Sequence, residues 1–187
     1  METASRRRAL KTLSASAIGL ALFPAPGLGA AAGPRAPFVI RNQEGRFAEH
    51  YRLMGFDLYL KLAGKDTNEQ VSVFSGVYKR NDGPPLHVHY QQDEEFYITA
   101  GEFLVQVGSE RFTLKAGDLI FLPRNVPHTF LTLSETAQMV FMTHPSGKTE
   151  ALFRQLAQLA PTATLEEAQK IHLANECKIV GPKLTVG

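Results

Sequence analysis

The stretch that decides the fold is Gly83–Gly101, which reads GPPLHVHYQQDEEFYITAG. His87 and His89 are one residue apart, and because side chains alternate faces along a strand, both imidazoles can aim at one point. The polar residues 90–93 predict a turn, after which Glu94 opens a second strand that faces the same point. Imidazole and carboxylate together suit Mn, Fe, Co, Ni, Cu or Zn. The stretch therefore predicts a transition-metal site on a β-hairpin.

A second segment supplies a further candidate ligand. Residues 117–128 read GDLIFLPRNVPH: a glycine turn, a short strand, a proline turn, and His128 at the start of the next strand. Together the two segments, HxHx4Ex6G and Gx5Px4H, resemble the two signature motifs of the cupin superfamily, whose fold is a jelly-roll β-barrel. Gly83 lies two residues later than is usual in the first motif. In the second, Asn125 stands where glycine is usual and Thr132 where asparagine is usual.

The resemblance implies four metal ligands, which are His87, His89, Glu94 and His128. None of the departures from the motifs falls on a ligand. Two other interpretations stay open: the residues are ordinary polar side chains on a solvent-facing strand, or Glu95 is the carboxylate ligand. Glu95 would face the opposite way in a strand that starts at Glu94, so Glu94 is the expected ligand.

Composition indicates an ordinary globular domain. The chain has 187 residues, of which 44% are hydrophobic and 20% are charged, and its formal net charge is +2. This length is enough to bury a sizeable core, and the small charge gives no indication of nucleic acid or an acidic membrane surface as a partner. Cys177 is the single cysteine. It excludes an intramolecular disulfide and a cysteine-based zinc cluster, and a buried or merely tolerated thiol, rather than a nucleophile, is its expected role.

Residues 1–32 predict a twin-arginine-type signal peptide rather than a part of the fold. Residues 5–11 (SRRRALK) resemble the twin-arginine export signature, a weakly apolar run follows at 18–23, and residues 30–32 are three alanines. The apolar run is too short to span a bilayer, so no membrane anchor is expected. The alternative is a disordered basic arm. An export signal predicts a periplasmic or secreted protein.

The rest of the chain alternates short strand patterns with glycine and proline turns. In residues 57–62 leucines alternate with polar or aromatic residues, and residues 71–78 predict a strand interrupted by Gly76. Further short strands follow at similar spacing. The pattern predicts an all-β fold, and with the motifs a single cupin jelly-roll β-barrel, over residues 38–145.

After the barrel the periodicity becomes helical. Residues 146–187 predict a C-terminal helical extension, with one helix at 149–159 and a second at 165–175 that begins with a capping box at Thr164. The extension is expected to pack against the barrel exterior or against a second subunit.

Several further segments resemble one branch of small bacterial cupins, those akin to quercetin 2,3-dioxygenase. They lie within residues 55–183 and are GKDT at 64–67, PPLHVH at 84–89, DEEFYITAGE at 93–102, LPRNVPH at 122–128 and IVGP at 179–182. The resemblance implies a metal-dependent dioxygenase that adds O2 to an enol or flavonol-like aromatic substrate. Its cofactor would be one divalent transition metal, which is Fe, Mn, Ni, Co, Cu or Zn.

In such a reaction Glu94 would take up the substrate proton as general base. The apolar residues that share the inward phase of the ligands could line a pocket for an aromatic ring: Phe96, Ile98, Phe103, Val105 and Phe130. Each of them could equally fill the barrel interior.

Two other functions stay open. One is a non-redox cupin that uses its metal for isomerisation or hydrolysis, and the other is a non-catalytic module that binds a metal or a small ligand. The expected partners are a small-molecule substrate and O2, and the resemblance alone implies a possible homodimer. His50, His144 and His172 lie outside both motifs, and surface or structural roles are expected for them.

Overall fold

The computed structural model describes residues 36–185 and contains eleven strands and two α-helices in that range. In chain order the strands and helices are β1 (His50–Leu53), β2 (Phe56–Leu62), β3 (Ser72–Lys79), β4 (Pro85–His89), β5 (Asp93–Ala100), β6 (Glu102–Val107), β7 (Glu110–Lys115), β8 (Leu119–Leu122), β9 (His128–Thr132), β10 (Thr136–His144), α1 (Thr149–Leu156), α2 (Leu165–Ala174) and β11 (Cys177–Lys183). All of them belong to the unit that begins at Val39. The signal peptide predicted at residues 1–32 lies outside the described residues.

The strands form two sheets. One has the order β1-β2-β3-β10-β5-β8 and the other the order β11-β4-β9-β6-β7, and the paired strands are antiparallel. Neighbours that are distant in sequence, such as β3 beside β10, are those of a jelly roll. The all-β cupin fold predicted from the sequence is confirmed. Within residues 36–185 strand pairing leaves two separate sheets and does not close them into a continuous barrel.

The core is aromatic and lies between the inner faces of the two sheets. In β3 the buried positions Phe74 and Tyr78 alternate with half-buried ones, as the period of two requires. The Phe74 ring stacks on Phe141 of β10 at 4.8 Å between centroids, and Tyr78 meets Phe130 of β9 edge-on at 5.2 Å. Each fully buried ring contributes roughly 1.5–3 kcal/mol. These rings join the two sheets at the level of the motif strands.

Gly76 does not interrupt β3, contrary to the prediction from the sequence. The strand is continuous over Ser72–Lys79, and Gly76 pairs with Met139 of β10. A Cβ atom at Gly76 would lie 2.0 Å from the hydroxyl oxygen of Tyr78. Glycine is therefore present because the Tyr78 ring lies over it, which is a packing requirement that the local sequence does not reveal.

The two predicted helices are present, although the first ends three residues early. Thr164 caps α2 as expected: its hydroxyl accepts the backbone N–H of Glu167 at 3.2 Å, and the Glu167 carboxylate accepts the N–H of Thr164 at 2.7 Å. The expectation that the extension packs against the barrel exterior is wrong for α1, because Phe153 packs edge-on against the stacked core rings of Phe74 and Phe141. The extended piece that follows α2 becomes β11 and pairs with β4.

In the described part of the chain, neither helix has the length and apolar character needed to cross a bilayer.

Candidate metal centre

Three strands bring the four predicted ligands together. His87 and His89 lie on β4, Glu94 on β5 and His128 on β9, where His128 is the direct partner of His87. One potential ligand atom from each histidine lies within 4.8 Å of the other two. His89 and His128 are buried, at 3% and 1% exposed, whereas His87 is half-buried.

Backbone carbonyls fix the orientation of two of the imidazoles. Nδ1 of His87 lies 2.8 Å from the carbonyl oxygen of Pro85, and Nδ1 of His128 lies 3.3 Å from that of Val126. A carbonyl oxygen only accepts, so in both rings Nδ1 carries the proton and Nε2 presents its lone pair. Nε2 of His128 is buried without a hydrogen bond. This tautomer is the one that a metal-binding histidine needs, and an unpartnered buried nitrogen is what a metal would satisfy.

Glu94 completes the cluster from the opposite sheet. The predicted β-hairpin is therefore wrong: β4 pairs with β9 and β11, whereas β5 pairs with β8 and β10. Its side chain is 5% exposed, and its two carboxylate oxygens lie 3.5 Å from Nε2 of His89 and 3.3 Å from Nε2 of His128. The structure thus places the expected carboxylate against the histidines. That these four residues are metal ligands stays a prediction.

Burial sets the charge of the cluster. Burial lowers the pKa of His87 well below the usual range, and the other imidazoles add to this effect. Burial also lowers the pKa of His89, although the Glu94 carboxylate acts to raise it. Burial also acts to raise the pKa of Glu94, but His89 and His128 outweigh it and the pKa of Glu94 falls. At neutral pH the cluster offers neutral imidazoles at His87 and His89 and an anionic carboxylate at Glu94.

Glu95, the competing carboxylate, lies on the other face of β5. Its carboxylate is 2.5 Å from Nε2 of His144, and neither side chain is part of the histidine cluster. His50 also lies away from the cluster, with Nε2 at 2.9 Å from Asp57 and its ring stacked on Tyr59. The alternation of side chains along β5 is thus as the sequence predicted.

A small cavity of about 70 Å³, here called the inner cavity, adjoins the cluster and has His87, His89 and Glu94 in its wall. Of the five residues predicted to line a substrate pocket, Phe96 and Phe130 do so. Ile98, Phe103 and Val105 share their inward phase but are fully buried in the core and are not among the residues that line this cavity. These three side chains face inward as predicted, but their position along the strands places them deeper in the core.

Most of the remaining wall comes from residues that sequence reasoning missed. They include Tyr78 and Phe141 of the sheets, Leu152, Phe153 and Leu156 of α1, and His172 of α2. His172 is 9% exposed, and its Nδ1 donates to the carbonyl oxygen of Ala168 at 2.7 Å, so that Nε2 presents an acceptor. Burial lowers the pKa of His172, which keeps the ring neutral. A signal was available in the sequence, because His172 shares one helical face with Leu165 and Ala168.

Cys177 lies behind the cluster rather than in it. It is directly opposite His89 in the ladder between β11 and β4, and its sulfur is 3.8 Å from Nε2 of His89. Burial raises the pKa of the thiol, and the Glu94 carboxylate raises it further. A buried, neutral thiol is the role expected from the sequence.

Comparison with known proteins is consistent with this geometry. Residues 76–144 match the family described as Cupin domain. A quercetin 2,3-dioxygenase from Bacillus subtilis (strain 168) is 29% identical over 110 residues, which is 58% of this chain and 32% of that protein. The chain spans about a third of the length of the curated relatives that it matches.

Two solved structures share the fold. An RmlC-like cupin from Shewanella frigidimarina has a TM-score of 0.50 at 20% identity, covering 59% of this chain and 92% of that one. A protein from Thermotoga maritima described as a predicted oxalate decarboxylase has a TM-score of 0.51 at 16% identity, covering 57% and 98%. At these identities the likeness concerns the fold alone. The match to the Cupin domain family covers residues 76–144, and these structural neighbours share the two-sheet fold.

Proposed function

We propose that this protein is a metal-dependent dioxygenase that adds O2 to an enol or flavonol-like aromatic substrate. The observation that carries the proposal is the convergence of three imidazoles and one carboxylate on a cavity walled by aromatic rings. The similarity to a quercetin 2,3-dioxygenase over 110 residues supports the same chemistry.

His87, His89, His128 and Glu94 would hold one divalent transition metal. The fit rests on the tautomers fixed by backbone carbonyls and on the unpartnered Nε2 of His128. Imidazole and carboxylate donors are compatible with Fe, Mn, Ni, Co, Cu or Zn. When bound, the metal would supply Lewis acidity towards a substrate oxygen and a position for O2 beside it.

Glu94 is the base of the proposed reaction. Its carboxylate is anionic at neutral pH and lies in the wall of the inner cavity, where it can accept the proton of an enol hydroxyl. Its two oxygens lie 3.5 Å from Nε2 of His89 and 3.3 Å from Nε2 of His128, so the base adjoins the histidines that would hold the metal. Loss of the hydroxyl proton makes the substrate more electron-rich and therefore more reactive towards O2.

The aromatic wall orients the substrate and excludes water. Phe96 and Phe130 meet at 90° with 5.8 Å between centroids, and Phe96 also stands edge-on to His128 at 6.4 Å. An aromatic substrate ring can continue this edge-to-face packing. Burial raises the pKa of Tyr78, so its phenol stays protonated and can act only as a neutral hydrogen-bonding group.

A second candidate is a non-catalytic module that binds a metal or a small ligand. The small size of the inner cavity, about 70 Å³, favours it, since a three-ring flavonol does not fit into this space alone. Metal content does not distinguish the two candidates, but substrate-dependent oxygen consumption does.

The test combines metal analysis with oxygen uptake. We expect about one metal ion per chain in the purified protein, and its loss in His87→Ala. His50→Ala removes a histidine from β1 far along the sheet and should keep the metal. An oxygen electrode then measures uptake with quercetin and other flavonols.

Uptake by the wild type and by His50→Ala, but not by His87→Ala, would support the dioxygenase. Metal binding without uptake for any flavonol would favour the binding module or a non-redox cupin. Equal metal content in folded His87→Ala and wild type would contradict the proposed centre.

A further inference from the structure

A larger cavity adjoins the inner cavity and has no role in the proposal above. It has a volume of about 750 Å³ and is bounded by the turn after β1, the connection from α1 to α2, and one face of α2. It is called the outer groove below. The side chains shared by both cavities are those of Leu53, Met54, Leu156 and His172. The two cavities therefore adjoin across these four side chains, which are called the neck below.

The sizes of the two cavities limit what can reach the histidines. The inner cavity of about 70 Å³ corresponds to roughly five water-sized volumes and has room for the reacting end of a substrate only. The outer groove, at about 750 Å³, falls in the range of roughly 300–1,000 Å³ typical of small-molecule sites. A substrate larger than its reacting end must leave the rest of its body in the outer groove.

The lining of the outer groove favours an apolar occupant. It is mostly aliphatic, and Arg52 is the one residue in it with a permanently charged side chain. Two large apolar side chains in this lining are unusually exposed, since Met54 is 58% and Leu165 is 65% accessible to solvent. Covering them with an apolar ligand would remove this unfavourable contact with water.

We propose that the outer groove is the subsite for the apolar body of an elongated substrate, whose compact enol-bearing head enters the inner cavity through the neck. The assignment of the head rests on the proposed function, whereas the assignment of the body rests on the groove itself. Helix α2 then determines specificity, because Leu165 and Ala168 lie on the face that lines the groove.

The test uses three probes that share one head group and differ only in the length of the alkyl tail. They are 3-hydroxy-4-pyranones with a methyl, butyl or octyl group at position 2, whose ring is the central ring of a flavonol. Calorimetric titration of the metal-loaded protein measures Kd for each probe. Each methylene that enters the groove should lower Kd about two- to fourfold, so that the octyl probe, with seven more methylenes, binds about 100-fold or more tightly than the methyl probe.

Two variants on α2 form a matched pair for this titration. Leu165 and Leu173 are 65% and 55% exposed on the same helix, but only Leu165 lines the groove. Leu165→Ser should weaken octyl binding about five- to tenfold and leave methyl binding unchanged. Leu173→Ser should change neither. Ala168→Phe fills part of the groove and should reduce binding of the octyl probe selectively.

Affinities that do not depend on tail length would overturn the subsite, as would equal effects of Leu165→Ser and Leu173→Ser. Oxygen uptake, measured separately, tests the proposed function. Tail-dependent binding without uptake would leave the subsite standing and reject the dioxygenase. Oxygen uptake together with an affinity that does not depend on tail length would support the dioxygenase and reject the subsite.

Discussion

At the scale of single residues, the adjacent carboxylates Glu94 and Glu95 can be compared directly, since they point to opposite faces of β5. Glu94 is buried beside His89 and His128, whereas Glu95 contacts His144. We expect Glu94→Gln to weaken metal affinity about 10- to 100-fold, because the uncharged amide is a poorer ligand and a poorer partner for the imidazoles. Glu95→Gln should keep the affinity of the wild type. Competition with a chromophoric chelator measures both, and similar losses in the two variants would refute the assignment.

Gly76 provides a second test at this scale. Because its Cα lies against the Tyr78 ring, Gly76→Ala would push that ring towards Phe103 and Phe130. We expect the free energy of unfolding to fall by about 1–3 kcal/mol, as for other overpacked cores. Ser75→Ala, on the outward-facing neighbour in β3, is the control. Denaturant titration of both gives the result, and an unchanged stability for Gly76→Ala would show that the ring adapts without cost.

At the scale of elements, strands β4 and β5 could be predicted from the sequence because the alternation of side chains is a local signal, but the predicted hairpin between them is wrong, since each strand lies in a different sheet. Alternation fixes which way His87, His89 and Glu94 point, whereas the crossing of the chain from one sheet to the other between β4 and β5 has no local signal. The wall of the inner cavity could not be predicted in the same way. Phe153 contacts Phe74, which lies 79 residues earlier in the sequence, and no local periodicity predicts such a contact.

Helix α1 is part of the core and should behave as such. Leu152 is 2% exposed and lines the inner cavity. Leu152→Ala should reduce the free energy of unfolding by about 2–5 kcal/mol, since it removes buried methylenes and leaves a void. Leu173→Ala, at an exposed position of α2, should cost far less. Thermal unfolding of both variants checks the difference. Equal stability would mean that α1 is only loosely attached.

At the scale of the whole molecule, the class of fold and the ligand cluster could be predicted from two motifs, but the depth of each side chain could not. Phe96 and Ile98 share one face of β5, yet only Phe96 reaches the inner cavity. The alternation of side chains determines which face of the strand a residue occupies. Where the cavity lies along the strand depends instead on which elements, distant in sequence, cover the end of that strand. Export through a twin-arginine signal and pairing as a homodimer both stay predictions.

Acid stability depends on an ion pair that links two motif segments. Arg124 Nη2 lies 2.6 Å from Asp93 Oδ2, and hydrogen bonds from Arg124 hold the pKa of Asp93 at about 2, below the usual value of about 3.9. Because the folded-state pKa is the lower one, the stabilisation is present above about pH 4 and is lost as the pH falls towards 2. The stability difference between wild type and Asp93→Asn should therefore shrink from pH 5 to pH 2. Denaturant unfolding of metal-free protein measures this difference.

Glu135→Gln is the control, because it removes an ion pair at an 83% exposed residue. Its stability should differ little from that of the wild type at any pH.

The position of β11 has a consequence for the order of events during synthesis. This strand covers one edge of β4, with Cys177 opposite His89 and Ile179 opposite His87. Cys177 and His89 are 88 residues apart, so at roughly 5–20 residues per second the ribosome makes them on the order of 4 to 18 s apart. Until then the strand that carries two of the candidate ligands has an unpaired edge. A nascent chain halted before residue 177 would contain all four of these side chains and still lack the strand that pairs with the edge of β4, so we expect the cluster to take its final form only after β11 has been made.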